Sequence, residues 1–501
     1  MFADATADIN IPKRVLEPML KKIVSYFAEF KVLKTASRDF WLTNAIQFMD
    51  GLAYFSMINV ITLYLSLNCG FNDMQSGAWV GIFTLYVTAF VLGVGSICDA
   101  IGMRKSFFIA AGSLCLARGG MGLAPMFLNG VALQYTVMAL ILLLSFGTAF
   151  MVTAIPVGVR RFTTKDNRST GFNVYYLLMN VGAVLAGFAV TDGFRNWLGE
   201  VNGNLAILAF GGVMAACCYF VSTFVDEHNY ADESERTHAD LTRRPLAIFK
   251  EVWKESAFLK LILFLALTLG VRLVFTNQFL IMPKYYTRVM YSDFALGLAN
   301  SINPVIIVVG LILLIPVIQR FSTFKLIVVG MSVSAVSLLF MAVPARWMIG
   351  LPGVHNLSEA YLFVIVAQIV VFAFGELIFS PRFTEYISVV APKEKVASYM
   401  GLSALPMFIA KPINGFISGI LVSGYCYDGI RAKIDSGNIA YGRSPEFMWM
   451  LYLVAALLSP VAVIAMRRVL NGERAQTRHE VHDIPESVSG EPDQAMEDSA
   501  A

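Results

Sequence analysis

Five ionisable side chains of this sequence stand where ionisable side chains are costly. Asp50, Arg118, Arg272, Glu376 and Lys411 each lie inside an apolar run long enough to cross a bilayer. A formal charge at mid-membrane costs about 3 kcal/mol or more unless it is paired or hydrated, so each is a candidate for handling a charged solute or a proton. Burial also strengthens a carboxylate's hold on a proton, so Asp50 or Glu376, whichever is less firmly paired, is the candidate for proton coupling. Histidine is not available for that task, because His228, His238, His355, His479 and His482 all fall in loops or the tail. Other chemistries lack their residues. No glycine-rich loop cradles a phosphate, no serine, histidine and aspartate are grouped for hydrolysis, and the six cysteines follow no metal-ligand or disulfide pattern. No catalysis, cofactor or metal is expected.

The elements that must position these charges are membrane spans. The chain has 501 residues, of which 57% are hydrophobic and 15% charged, with a mean hydropathy of +0.65. A soluble domain carries about 25% charged residues, so a water-facing surface of the usual kind is excluded. Apolar runs of about twenty residues, the length that crosses the hydrocarbon as a helix, recur along the chain. Spans are predicted at 39–66, 78–98, 106–125, 132–156, 172–192 and 204–224, then at 258–282, 295–319, 324–343, 360–380, 397–422 and 446–467.

This pattern divides into an N-terminal segment 1–38, a six-helix bundle 39–224, a connector 225–257, a second bundle 258–467 and a disordered tail 468–501. The N-terminal segment carries an amphipathic helix, with Val15, Leu16, Leu20, Ile23 and Phe27 mostly opposite its lysines. The even spacing of the spans puts both termini on one side, and 27 of the 38 Lys and Arg fall on that side against seven on the other. Basic residues accumulate in cytoplasmic loops, so both termini are expected in the cytoplasm, in a plasma (inner) membrane.

The segment between the second and third spans reads Gly95-Ser-Ile-Cys-Asp99-Ala-Ile-Gly102-Met-Arg104-Lys105. It resembles the signature loop of the major facilitator superfamily, G-x-x-x-D-x-x-G-x-R-[KR]. Gly95 is expected to permit close helix packing, Gly102 a tight turn, and Asp99, with Arg104 and Lys105 beside it, a latch that breaks as the two bundles rock. The fold class so implied is all-α and polytopic, with twelve transmembrane helices in two pseudo-symmetric bundles around a site at mid-membrane. In that arrangement Asp50, Arg272, Glu376 and Lys411 face the cavity and their charges cancel. Arg118 lies in a supporting helix, where it snorkels or pairs with a neighbour.

A narrower resemblance runs through both halves. Phe172 to Gly182 contains Tyr175, Tyr176 and Asn180; Asn303-Pro304 follows in the eighth span; and Gly375-Glu376-Leu377, Ser380-Pro381, Ala391-Pro392 and Met400-Gly401 come in order after it. These are similar to motifs of the proton-dependent oligopeptide transporter family. The resemblance implies that Glu376 attracts a cationic substrate group and that Arg272 and Lys411 oppose an anionic one. Tyr54, Tyr176, Asn180 and Asn303 then supply hydrogen bonds and stacking. The sequence departs from the family at Gln47, Asp50 and Gly51, where its first span carries E-x-x-E-R. It departs again at Val152 and Ser403, in place of a lysine and a tryptophan. The function implied is secondary active transport of a small amphoteric solute, peptide or amino-acid-like, coupled to protons. A facilitator or antiporter of an organic anion or drug-like compound, or a non-transporting sensor, are the alternatives. The expected partners are a small-molecule substrate, protons and the lipid bilayer, with no nucleic acid, in a monomer.

Overall fold

A computed structural model describes residues 33–34, 36–164, 167–226, 256–291, 294–318, 321–390 and 405–467. The amphipathic stretch before residue 33, most of the 225–257 connector, the tail from 468, and Ala391, Pro392, Met400, Gly401 and Ser403 lie outside them. The first bundle consists of α1 (Arg38–Leu63), α2 (Asp73–Ile101), α3 (Met103–Phe127), α4 (Gly130–Arg161), α5 (Arg168–Leu185) and α6 (Asp192–Ser222). The second begins with α7 (Ser256–Leu267), α8 (Leu269–Leu280), the short α9 (Met282–Tyr285) and α10 (Leu296–Ile318). It continues with α11 (Thr323–Val336), α12 (Leu339–Ala342), α13 (Leu357–Val390), α14 (Leu405–Tyr425), α15 (Ile430–Asp435) and α16 (Pro445–Ala465).

Nine described helices are long and apolar enough to cross a membrane. One of these runs 53 residues, Thr170–Ser222, which as a straight rod would measure about 80 Å against about 30 Å of hydrocarbon. It holds two passes: the chain turns at Gly199, at φ 78°, and Arg195 before the turn bonds Asn204 after it at 3.0 Å. The pair α7 and α8, bent by 49° about Thr268, makes a broken span, and α10 is a further apolar helix of 23 residues. The described helices therefore accommodate the twelve expected passes. Their outer surfaces carry Leu116, Phe127, Phe220, Leu298 and Leu458, all more than half exposed. Such a surface belongs in lipid, so this is an integral, multi-pass membrane protein.

Several boundaries differ from the predicted ones because one glycine suffices to end a helix. Residues 95–101 are helical rather than a loop, and Gly102 alone separates α2 from α3, at φ 88° and ψ 165°. That backbone conformation suits glycine, and Gly102 closes the turn by accepting from the Ser106 N–H at 3.1 Å and hydroxyl at 2.7 Å. Likewise only Gly199 interrupts the helix where a loop at 193–203 was expected. The π-helical turn Tyr64–Asn68 continues α1, and a second, Ala186–Thr191, continues α5.

Residues 69–72, the π-helical turn Tyr286–Met290 and residues 426–429 share the end of the molecule away from Arg38 and Ala465, here called the distal end. The bundles meet there backbone to backbone. A Cβ on Gly77 of α2 would stand 2.7 Å from the Gly415 carbonyl oxygen and the Gly419 Cα of α14, and one on Gly415 would collide with the Gly81 Cα. Small residues at such crossings are what allow helices to approach in a membrane. Further along the same crossing, Pro412 lacks the N–H that would bond the Phe408 carbonyl, and the Thr88 hydroxyl of the first bundle reaches that carbonyl at 3.1 Å.

Gly415→Val should therefore separate the bundles distally while leaving each one folded. Overpacking of this kind costs about 1–3 kcal/mol. Spin labels at exposed Met74 and Ser423 should shift to longer distances, and an unchanged distribution would show that this crossing does not hold the state seen here.

Candidate functional site

Between the bundles lies a cavity of about 420 Å³. Its first-bundle wall includes Gln47, Asp50, Gly51, Tyr54 and Phe55 of α1, Val152 of α4, and Tyr175, Tyr176 and Asn180 of α5. Its second-bundle wall includes Gln278 and Phe279 of α8, Asn300 and Asn303 of α10, Glu376 of α13, and Phe408 and Lys411 of α14. Thus Tyr54, Tyr176, Asn180, Asn303, Glu376, Lys411 and Asp50 converge on one space from five helices. The described positions at which the sequence departs from the oligopeptide motifs, Gln47, Gly51 and Val152, line that space too.

The charges are arranged otherwise than expected. Asp50 does not answer the second-bundle cations. It accepts from Arg118 Nη1 at 2.9 Å, and Arg118, fully buried in α3, takes its compensation from the cavity wall rather than by snorkelling. Arg272, expected to face the cavity, does not line it. Its guanidinium sits 5.2, 4.8 and 4.6 Å from the ring centroids of Phe275, Phe379 and Phe383, an aromatic cage that suits a desolvated cation. From there it still interacts electrostatically with Glu376. Glu376 accepts from Asn303 Nδ2 at 3.0 Å. Lys411 lines the cavity with no hydrogen bond or ion pair among the described residues. The Asn180 amide already donates one N–H to the Tyr176 carbonyl at 2.9 Å, which leaves its second N–H and its oxygen for a solute.

A chain of amides that the sequence reading passed over runs from Glu376 to the first bundle. Asn303 Nδ2 also approaches Gln278 Oε1 at 3.3 Å, and Gln278 donates to the Asn300 carbonyl at 3.3 Å. Asn300 Nδ2 donates to Asn59 Oδ1 at 3.0 Å, and Asn59 Nδ2 to the Thr191 hydroxyl at 3.4 Å. That hydroxyl donates in turn to the Ala186 carbonyl across the π-helical turn. The following residue, Asp192, caps α10 of the other bundle, accepting from the Gly297 and Leu298 N–H groups at 2.8 and 2.6 Å. The signal in the sequence was the presence of amides inside apolar runs, which a search confined to formal charges does not weigh.

The distal end is closed by an ion cluster also absent from the sequence reading. Asp73, in the capped first turn of α2, accepts from Lys284 at 2.7 Å and from both Arg288 terminal nitrogens at 2.7 and 2.9 Å. Arg288 further engages Asp428 at 2.7 Å, and Lys284 donates to Ser66 at 2.7 Å. Burial pulls the Lys284 ammonium below its ordinary range, against the opposing pull of Asp73. Cys69 and Cys426 flank this cluster as free thiols, and burial pushes Cys426 up to about 12.

The signature segment behaves differently from its expected role. Among the described residues, a Cβ on Gly95 would meet nothing within 4 Å. Arg104 and Lys105 are exposed, with Arg104 over the Phe108 ring at 5.7 Å; the Asp99 side chain lies outside the described residues. Among the described residues, no group of three or more His, Cys, Asp or Glu is placed to hold a metal ion.

A family model described as Major Facilitator Superfamily matches residues 43–411. The chain belongs to the major facilitator superfamily. No curated protein matches it in sequence. Solved structures do. A POT family transporter in complex with 5-aminolevulinic acid aligns with a TM-score of 0.63 at 15% identity, over 86% of this chain and 96% of that one. A peptide transporter POT in complex with sulfate aligns with a TM-score of 0.65 at 16% identity, over 86% and 95%. Another POT family transporter, in complex with a thioalcohol conjugated peptide, gives 0.64 at 14%, over 86% and 96%. At such identities the likeness is one of fold, and it covers nearly the whole of those transporters.

In a facilitator, the distal ion cluster must break for the bundles to part. Asp73→Asn leaves Lys284, at 3% side-chain exposure, without its charge partner and Arg288, at 10%, with only the exposed Asp428. Breaking a buried pair costs about 3–5 kcal/mol, so the closed distal state should lose at least about a hundredfold in population. A single cysteine at cavity-lining Ile58, in a background lacking native cysteines, should then be alkylated from the distal side far faster than with Asp73 intact. Equal rates would remove Asp73 from this role.

Proposed function

We propose that this facilitator is a secondary active transporter that carries a small charged organic solute by alternating access. The observation that carries the reading is the cavity itself. It lies between the two bundles, is lined by both, is closed distally by a breakable ion cluster, and presents Glu376 and Lys411 to a solute. The bias of basic residues supports a cytoplasmic location for both termini, in a plasma (inner) membrane, and a monomer is sufficient because one chain holds the whole cavity. In this reading the structure is the distally closed state of the cycle, from which solute exchanges with the terminal, cytoplasmic side. An amphoteric solute, peptide or amino-acid-like, is the class implied by the resemblance to the oligopeptide transporters. Solved relatives hold molecules of that kind, 5-aminolevulinic acid and a conjugated peptide, together with sulfate.

The coupling proton is assigned to Glu376 rather than Asp50. Asp50 is tied to a fully buried guanidinium, and protonating it would strand Arg118 as an isolated cation in the membrane interior. Glu376 is held by a neutral amide, and the cation nearest to it, Arg272, keeps three aromatic rings when the carboxylate becomes neutral. The other ionisable groups facing the same space are Tyr54 of α1, Tyr175 and Tyr176 of α5, Asp50 with Arg118 behind it, and Lys411. Protonation at Glu376 would act on Asn303, and through Gln278 and Asn300 on Asn59, where the bundles meet. Coupling thereby has a physical route from solute site to closure.

Glu376→Gln should abolish accumulation driven by an inward proton gradient in proteoliposomes. Solute-for-solute exchange should persist, slowed by no more than about tenfold. Loss of both activities would move Glu376 from coupling to solute binding, whereas wild-type accumulation in the variant would exclude it from either. A wild-type protein that binds solute without flux would be a sensor.

A further inference from the structure

The charges at the cavity do not balance until a solute is added. Asp50 is matched by Arg118 at 2.9 Å. Glu376 is matched by the Asn303 amide at 3.0 Å and by the field of Arg272 behind it. Lys411 is the remaining formal charge on the wall, and among the described residues nothing compensates it. The helix that carries it is fixed, because α14 is clamped to α2 through Gly81, Pro412 and Gly415 in the following turn. An uncompensated cation against a largely apolar, membrane-embedded wall is stabilised by an anion that enters.

The opposite wall has a different chemistry. Gly51 of α1 lines the cavity, and a Cβ there would meet nothing within 4 Å. Phe55 stands one turn further along the same helix. Val152 of α4, 45% exposed, and Ile155 face the same space. Apart from the neutralised Asp50, this wall offers apolar and aromatic surface with phenol and amide groups, and room where a side chain is missing.

We propose, building on the transport reading above, that the solute is recognised through an anionic head at Lys411 and an apolar body over Gly51 and Val152, with no requirement for an amino group. Amphoteric molecules enter by their carboxylate. Removing their ammonium group improves binding, since Glu376 already has its partners and a second cation would crowd Lys411 and Arg272.

Three probes on one skeleton decide this: 3-phenylpropionate (anion), phenylalanine (zwitterion) and 2-phenylethylamine (cation). Binding is measured by calorimetry on the full chain in nanodiscs. The expected order is 3-phenylpropionate tightest, phenylalanine about tenfold weaker, and 2-phenylethylamine weakest. Lys411→Gln should reduce the anion-to-zwitterion ratio to about one, and Lys411→Arg should keep it, which separates loss of charge from loss of fold. Gly51→Leu should shrink the affinity ratio of 3-phenylpropionate to propionate by about tenfold, as expected when a recess for an apolar group is filled. Phenylalanine binding as tightly as 3-phenylpropionate, no binding by any of the three, or an anion preference that survives Lys411→Gln would overturn the inference. Flux of the best-bound probe in proteoliposomes tests the underlying reading separately. Anion-selective binding without flux would leave the recognition site intact and remove transport, while flux with a zwitterion preference would do the reverse.

Discussion

A formal charge buried in hydrocarbon has to be compensated within the protein, and most of this architecture follows from how that is done. Arg118 and Asp50 share one hydrogen bond across the first bundle, and two further nitrogens of Arg118 find no partner among the described residues. That guanidinium therefore has little to hold it but Asp50. The pair fixes α3 against α1 and removes Asp50 from the pool of groups free to exchange protons. In the second bundle the solution is softer: Arg272 is surrounded by three rings and Glu376 is held by an amide, so the carboxylate can change charge without stranding its neighbour. One bundle thus carries a static pair and the other an adjustable one. A cavity that alternates in protonation needs one wall that stays constant while the other responds.

The closure of the distal end rests on two kinds of interaction that fail differently. Backbone contact through Gly77, Gly81, Gly415 and Gly419 is short-ranged and vanishes once the helices separate by an ångström or two. The Asp73, Lys284 and Arg288 cluster is charged and largely buried, and its partners regain water when they part, which offsets much of the lost attraction. A contact of this composition is strong when closed yet separable, as a rocking bundle requires. The Asp192 cap on α10 adds an anchor whose acceptor lies in one bundle and whose donors are the free N–H groups of a helix in the other.

The span pattern, the two bundles and most cavity-lining residues were legible in the sequence, because hydropathy reports on lipid contact and formal charges in apolar runs are few. Partnerships were not. Arg118 was placed by its span number in a supporting helix, yet helix rotation, which the sequence does not state, turns it inward onto Asp50. Arg272 was expected at the cavity, but Phe275, Phe379 and Phe383 meet around it only after α8 and α13 pack, and they are separated by about a hundred residues. Asn303 was noticed through its motif, but Gln278, Asn300 and Asn59, which continue the chain, belong to no motif and carry no formal charge, although in a membrane an amide without a partner is itself costly.

The eroded first-span motif is best understood together with Arg118 and Lys411. With glycine at 51 and valine at 152, the first-bundle wall has no cation of its own facing the cavity, and a carboxylate at Asp50 without Arg118 would be stranded. Arg118 supplies the missing positive charge from behind the wall, where it can stabilise Asp50 but cannot reach a solute. The positive charge that can reach one, Lys411, belongs to the other bundle. In the proposed reading, solute recognition and proton exchange, relative to the oligopeptide motifs, both fall to the second bundle. The first is left as a shaped, largely uncharged surface against which the second can rock. Erosion of one motif need not mean loss of transport where its electrostatic duties have been reassigned to residues elsewhere in the same cavity.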